Sequence, residues 1–260
     1  MTFAQAIIIA VVEGITEFLP ISSTGHMIIA ETILGVNIDD FTKAFTVNIQ
    51  FGAILSVIVL YWKRFFQTWD FYFKLGVACL PLIIAYLLET QIDYMLGSIL
   101  IVAVSLLVGG VFLIFVDKLF DRPGNENTQL TYKRSFMIGL FQIISIIPGV
   151  SRSAATIIGG MSQKLSRKDA AEFSFFLAVP TMFAASILKL SGNYKLINAD
   201  NIQILIVGNL VSFIVAIFAI KSFIAFLTRH GFRYFGYYRI IVGTVILLMI
   251  AFGYDMKLAG

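Results

Sequence analysis

Residues 10–35 read AVVEGITEFLPISSTGHMIIAETILG, which places acidic, hydroxyl and imidazole side chains inside an apolar segment. A straight membrane-spanning helix would carry these polar groups through lipid at a high free-energy cost. Irregular polar backbone is tolerated at membrane depth only where protein buries it or water reaches it. The segment 3–33 is therefore predicted to form a re-entrant helical hairpin, which enters and leaves the membrane on the same face.

The rest of the chain has the composition of a polytopic membrane protein. Hydrophobic residues make up 59% of the 260 residues and charged residues only 13%, whereas a soluble domain carries about 25% charged residues. Long apolar runs predict an all-α membrane protein with six transmembrane helices. These helices are predicted at roughly 44–62, 73–90, 97–116, 170–190, 202–222 and 238–254.

A second stretch repeats the layout of the first. Residues 138–163 read IGLFQIISIIPGVSRSAATIIGGMSQ, and an offset of 128 places Pro20 on Pro148 and Ser23 on Ser151. Self-similarity at a fixed offset indicates structural repeats. We predict a first repeat at residues 1–117, a cytoplasmic linker at 118–134 and a second repeat at 135–260. The second repeat begins with its own re-entrant hairpin, at residues 135–162.

The basic residues predict how the repeats lie in the membrane. With both hairpins re-entrant, one face receives the predicted loops 63–74, 117–134, 163–169 and 221–239, which carry fourteen Lys and Arg residues, and the other face receives four. Such an excess marks the cytoplasmic side. Basic residues between apolar runs are explained by topology, so the net charge of +4 indicates no nucleic-acid partner. Each half contributes three crossings, so the second repeat is predicted to be inverted, with both termini outside and the hairpin tips near the midplane.

The first hairpin offers carboxylates and hydroxyls. Glu13 and Glu17 are four residues apart and share a helix face. They are predicted to hold a divalent cation or to act as acid and base, against the alternative of a purely structural pair. Pro20 ends the incoming helix, and Ser22, Ser23 and Thr24 can cap the outgoing one. A helix start at the tip favours a phosphate anion.

An imidazole and a guanidinium complete the candidate set. His26 follows Ser23 by three residues, so it can serve as the base for Ser23 or attack phosphorus itself. In the second hairpin Arg152 lies between Ser151 and Ser153, and its planar fork matches phosphate oxygens. The structural alternative is an ion pair of Arg152 with Glu13 or Glu17, which does not exclude phosphate binding. Together these residues predict phosphoryl transfer on a lipid, with Ser23, His26 or a metal-bound water as nucleophile.

The stretches EGITEFLPISSTGH and PGVSRSA resemble the two signature motifs of the undecaprenyl-diphosphate phosphatase family of the bacitracin-resistance type, and the resemblance extends over the whole chain. It implies hydrolysis of undecaprenyl diphosphate to the monophosphate carrier, a divalent cation (Mg²⁺ or Ca²⁺), and a bacterial plasma membrane with a site that opens outward. The family's motif residues fall on Glu13, Glu17, Ser22, Ser23, His26, Ser151 and Arg152. One departure is Ala154, where the motif usually has Gly, and we expect altered packing there rather than lost chemistry.

Two other functions stay open at this point. The inverted repeat also fits a transporter or lipid flippase, but only by analogy of fold. Transport needs an anion site but no nucleophile with acid and base partners, so the polar set favours hydrolysis. A scaffold subunit would tolerate Ala at Arg152. The sequence leaves the oligomeric state open between a monomer and a homo-oligomer.

Overall fold

The fold is known from a computed structural model that describes residues 1–66, 68–84, 95, 98–120, 129–193 and 201–254. Within these residues there are ten α-helices and no strand, which confirms the all-α prediction. The helices are α1 (Phe3–Thr16), α2 (Ser23–Ile33), α3 (Asp40–Leu60), α4 (Trp69–Cys79), α5 (Ile99–Phe120), α6 (Tyr132–Ile144), α7 (Arg152–Ser162), α8 (Arg167–Asn193), α9 (Ile202–His230) and α10 (Arg233–Ala251).

Four of these helices are long and apolar enough to cross a membrane, judged by length and composition among the described residues. They are α3, α5, α9 and α10. The other two predicted spans, at 170–190 and 73–90, differ from these four helices. Helix α8 is long, but its sequence includes polar residues and Pro180. The predicted helix at 73–90 begins as α4 and continues as a 3₁₀ turn at Leu80–Leu82, and its last part lies outside the described residues.

The helix order repeats among the described residues, because the described part of each half contains two short helices followed by three more. The contacts between halves follow the same pattern. Helix α1 packs against α9, and α6 packs against α4, while α5 pairs with α10 and α3 with α8. The α5–α10 pair packs tightly at two glycines: a Cβ on Gly110 would lie 2.9 Å from the carbonyl oxygen of Gly236, and a Cβ on Gly236 would lie 2.7 Å from that of Gly110. Small residues permit such close helix packing in membranes.

One part of the basic-residue count was wrong. The predicted loop 221–239 does not exist as a loop, since α9 extends to His230 and α10 begins at Arg233. Arg239 therefore lies inside α10, where it is only 1% exposed. It was counted as a cytoplasmic loop residue because it borders the last apolar run. Removing it leaves thirteen basic residues on the predicted cytoplasmic side against four on the other side.

Polar contacts close the ends of several helices. Asp39 caps α3 by accepting a hydrogen bond of 2.7 Å from the backbone N–H of Thr42, and this bond holds the pKa of the Asp39 carboxyl below its usual value. At the corner between α9 and α10, Asp117 of α5 accepts from the backbone N–H of Phe232 at 2.7 Å and pairs with Arg167 at 2.8 Å. These contacts fix the helix ends around the two hairpins.

Candidate functional site

The two short helix pairs meet at their turns. The first turn connects α1 to α2 and the second connects α6 to α7. Ser153 donates a hydrogen bond of 2.7 Å to the backbone carbonyl of Leu19 in the first turn, and Ser151 donates to the same oxygen at 3.3 Å. Residues that the sequence separates by more than a hundred positions are thus held in direct contact.

A carboxylate joins the two turns. Glu17, the residue that ends α1, accepts a hydrogen bond of 2.8 Å from the Ser23 hydroxyl at its Oε2 atom. Its Oε1 atom pairs with the Arg152 guanidinium at 3.0 Å. Arg152 also donates to the backbone carbonyl of Ser174 at 3.2 Å. The structure therefore brings three of the predicted catalytic residues into one continuous chain of hydrogen bonds.

Glu13 lies one helical turn before Glu17 and next to its carboxyl group. It is only 1% exposed, and its Oε1 atom is buried without a hydrogen-bond partner among the described residues. An unsatisfied buried oxygen is costly unless a ligand completes it. Two adjacent carboxylates with a free oxygen fit Mg²⁺ or Ca²⁺, because such ions take oxygen ligands and Mg²⁺ typically uses one or two carboxylates plus substrate phosphate.

His26 is placed differently from the prediction that made it the base for Ser23. Its Nδ1 atom lies 2.8 Å from the carbonyl oxygen of Ser22, and its Nε2 atom lies 2.8 Å from the Tyr238 hydroxyl. A carbonyl can only accept, so Nδ1 carries a proton, and in the neutral imidazole the lone pair of Nε2 then accepts from the Tyr238 hydroxyl. In this conformation both ring nitrogens are engaged, and the hydroxyl of Ser23 donates to Glu17 instead.

Comparison with known proteins identifies the family of this chain. The family model described as bacitracin resistance protein BacA matches residues 6–245. The chain belongs to the BacA family. A relative from Flavobacterium psychrophilum, named undecaprenyl-diphosphatase, is 58% identical over 99% of this chain and 100% of its own length. Relatives with the same name from Bdellovibrio bacteriovorus and Aquifex aeolicus are 55% and 46% identical, covering 99% and 97% of this chain and 100% of their own lengths.

The starts of the two outgoing helices differ in this BacA-family chain. Ser22 precedes α2 with φ of 69°, a conformation that costs free energy for a residue other than glycine, and its side chain makes no capping bond. Ser151 precedes α7 and caps it conventionally, accepting from the backbone N–H of Ala154 at 3.2 Å. Thr24 follows in the first turn of α2 and is half-buried. The first N–H groups of α2 thus remain without a side-chain cap.

Two residues near the site were missed from the sequence. At the edge of the last apolar run Tyr238 has the sequence pattern of an interfacial anchor, yet its hydroxyl bonds His26 and its ring stacks on the imidazole, with centroids 5.4 Å apart and planes 6° apart. Arg239, the next residue, bonds backbone carbonyls at both turns. The available signal was an arginine and a tyrosine placed immediately before the last apolar run. Nothing local, however, indicates that the two side chains reach turns more than eighty residues away.

Proposed function

We propose that this chain is an integral membrane phosphatase that hydrolyses undecaprenyl diphosphate to undecaprenyl phosphate and inorganic phosphate, which returns the lipid carrier to cell-wall synthesis. The observation that carries the proposal is the hydrogen-bond chain from Ser23 through Glu17 to Arg152. It joins a hydroxyl, a carboxylate and a guanidinium from two hairpins, in a family whose curated relatives are named undecaprenyl-diphosphatase. A transporter or a scaffold requires no hydroxyl paired with a carboxylate.

We propose Ser23 as the nucleophile. Its oxygen attacks the terminal phosphorus, the bond from that phosphorus to the bridging oxygen breaks, and the lipid monophosphate leaves. The proton of Ser23 passes to Glu17, which already accepts its hydrogen bond at 2.8 Å. Water then hydrolyses the phosphoserine to release inorganic phosphate and restore the hydroxyl. A hydroxyl is a weak nucleophile unless an adjacent base accepts its proton.

The remaining polar groups have proposed roles around the phosphate. Arg152 neutralises charge on the phosphate oxygens, and its fork can reach both the phosphate and Glu17. The uncapped N–H groups at the start of α2, with the hydroxyls of Ser22 and Thr24, bind the terminal phosphate. Ser151 and Ser153 support the phosphate site from the second hairpin. His26 supplies or accepts a proton through Nε2 once its hydrogen bond to the Tyr238 hydroxyl is broken.

A divalent cation, Mg²⁺ or Ca²⁺, is the proposed cofactor. Glu13 and Glu17 would hold it, and it would supply positive charge that neutralises the diphosphate. Chelation should abolish phosphate release, and adding the cation back should restore it. Glu13→Gln should raise the cation concentration that gives half-maximal activity, whereas Glu17→Gln should be inactive at every cation concentration. A chelated wild-type protein with full activity would remove the cation from the proposal.

The proposed membrane architecture has six transmembrane helices and two re-entrant hairpins in two inverted repeats. The repeated helix order and the exchanged contacts between halves support it, as does the basic-residue excess. The membrane is the bacterial plasma membrane, and the site opens to its outer face. A cysteine placed at Asn125 should resist a membrane-impermeant thiol reagent in intact cells and react after permeabilisation. Labelling in intact cells would overturn the inverted topology.

The function is tested most simply with purified protein in detergent micelles, where no sealed compartment exists. We expect release of inorganic phosphate from undecaprenyl diphosphate by the wild-type chain, and loss of that release in Ser23→Ala at equal amounts of folded protein. A transporter would release no phosphate under these conditions. Wild-type protein that binds the lipid but releases nothing would therefore favour the transport function over hydrolysis.

A further inference from the structure

Arg239 on α10 is the largest side chain among the fully buried residues that the structure describes, with 1% exposure. Its guanidinium group donates hydrogen bonds to four backbone carbonyls and, within the described part of the chain, to no side chain. The acceptors are the carbonyls of Gly149 at 2.9 Å, Ser105 at 3.1 Å, Pro20 at 3.3 Å and, more weakly, Leu106 at 3.5 Å.

These acceptors come from three separate parts of the fold. Pro20 lies in the first hairpin turn and Gly149 in the second, while the other two carbonyls belong to α5. Pro20 precedes Ser23 by three residues, and Gly149 precedes Arg152 by three residues. One guanidinium therefore contacts both turns, and each contacted carbonyl lies three residues before a residue of the proposed phosphate site.

We propose that Arg239 is a positioning residue that fixes the two hairpin turns relative to each other and thereby sets the placement of Ser23 against Arg152. This inference rests on the proposed phosphatase function. Phosphoryl transfer depends on aligning nucleophile, phosphorus and charge-neutralising groups, so a small displacement of one hairpin lowers turnover. Arg239 touches neither Ser23 nor Arg152, and it acts through the backbone.

The charge of Arg239 supports a functional rather than a merely structural role. None of the ion pairs in the described part of the chain includes Arg239. A buried cation without a carboxylate is costly at membrane depth and marks a functional position by default. Carbonyl oxygens at the turns carry partial negative charge, and the guanidinium offsets this charge beside a site that must receive a phosphate anion.

The shape of the guanidinium also matters. Its planar fork presents five N–H donors in a fixed geometry, which suits carbonyls that converge from three elements, whereas a lysine ammonium offers three donors around one point. The neighbouring helix leaves room for the fork: a Cβ on Gly109 would lie 2.5 Å from Nη2 and 3.0 Å from Cζ of Arg239. Glycine at this position on α5 thus permits the bonding position of the guanidinium.

The first test substitutes Arg239 and measures phosphate release from undecaprenyl diphosphate at equal amounts of folded protein, judged by size exclusion in detergent. Arg239→Met removes the donors, and Arg239→Lys keeps the charge but not the fork. We expect kcat to fall by about 10- to 100-fold in both variants, with a smaller change in KM. Arg233→Met is the matched control, because Arg233 is an exposed arginine on the same helix that bonds Tyr237, and its kcat should stay at the wild-type value.

The second test leaves Arg239 in place and displaces its guanidinium. Gly109→Ala adds a methyl group where the fork lies, while alanine is intrinsically better than glycine in a helix. We expect a lower kcat in Gly109→Ala with the protein folded. The control is Gly76→Ala, since a Cβ on Gly76 meets nothing within 4 Å, and it should have wild-type kcat.

The outcomes separate this inference from the proposed function. If the wild-type chain is active while Arg239→Lys and Gly109→Ala both fold and keep wild-type kcat, the guanidinium fork is not needed and the positioning role is overturned. This conclusion holds even if Arg239→Met fails to fold. If the wild-type chain releases no phosphate at all, the proposed function fails instead. A reduced kcat in both Arg239→Lys and Gly109→Ala, with intact controls, supports the positioning role.

Discussion

The two hairpins share a backbone layout but divide the chemistry between them. In the first hairpin, Glu13 lies in α1 and Glu17 ends that helix. Ser23 is the first residue of α2, whose start has no side-chain cap. In the second, Ser151 caps α7 and the serine hydroxyls turn toward the carbonyl of Leu19. We infer that the first hairpin carries the reacting groups, whereas the second contributes the positively charged Arg152 side chain and holds the first hairpin in place.

The largest expected difference between the hairpins concerns their serines. Ser23→Ala should lower kcat by at least about 10³-fold, the scale expected when a nucleophile that acts with its partners is removed. Ser153→Ala removes a contact between the hairpins and should lower kcat by less than about 10-fold, while costing about 1 kcal/mol of stability for the lost hydrogen bond. Phosphate release and thermal unfolding in detergent measure the two effects. Equal losses of activity in both variants would contradict the division.

A second difference is the imidazole, which has no counterpart in the second hairpin because the offset of 128 places His26 on Ala154. His26→Ala should lower kcat by about 10²- to 10⁴-fold, as expected for a positioned acid or base. Tyr238→Phe keeps the stacked ring but removes the hydroxyl that bonds Nε2, so a smaller loss is expected. Ala154→Gly is the control at the equivalent position and should keep nearly full activity. A fully active His26→Ala would assign the histidine to structure alone.

If Ser23→Ala kept most of its activity while His26→Ala was inactive, His26 or a water that it activates would be the nucleophile. Ser23 would then serve as a phosphate ligand. The lipid phosphatase function would stand in that case, because the hairpins would still assemble the same polar groups around one phosphate.

The smallest expected effects concern the helix starts. Ser151→Ala removes the cap of α7 and should cost about 1 kcal/mol, seen as a lower unfolding temperature in detergent. Ser22→Gly should not lower that temperature, because glycine adopts the positive φ of 69° without strain. Gly149, at φ of 88° in the second turn, already has this residue type. A lower unfolding temperature in Ser22→Gly would show that the serine hydroxyl outweighs the strain.

The polar sequence of the first hairpin was sufficient to locate the turn and most of the candidate site, because buried acidic and hydroxyl groups stand out against apolar surroundings. The contact between Arg152 and a glutamate was also anticipated from charge alone, and the structure identifies Glu17 as the partner. The extra contacts of the hydroxyl and the imidazole could not be predicted. Ser23 had two possible acceptors within reach, and only the three-dimensional position of Tyr238 shows that His26 is already engaged.

Arg239 illustrates why the remaining residues were missed. At the edge of an apolar run, an arginine has the local pattern of a cytoplasmic anchor. Its burial arises because α5 and α10 pair through Gly110 and Gly236, which lie far apart in the chain. Its partners are backbone carbonyls, which leave no signature in the sequence. Contacts of this kind depend on tertiary packing and become visible only in the structure.

We infer that the two hairpins act on one phosphate as a single site, and a kinetic double-mutant cycle across them tests this most directly. Ser23→Ala, Arg152→Lys and the double variant are compared by kcat/KM for radiolabelled undecaprenyl diphosphate, with Ser23→Ala and Arg233→Met as the control cycle. Groups that act as a unit are strongly non-additive. We expect the kcat/KM of the double variant to be nearly as high as that of the less active single variant, while the effects in the control cycle are additive. Losses that multiply across the hairpins would contradict the account.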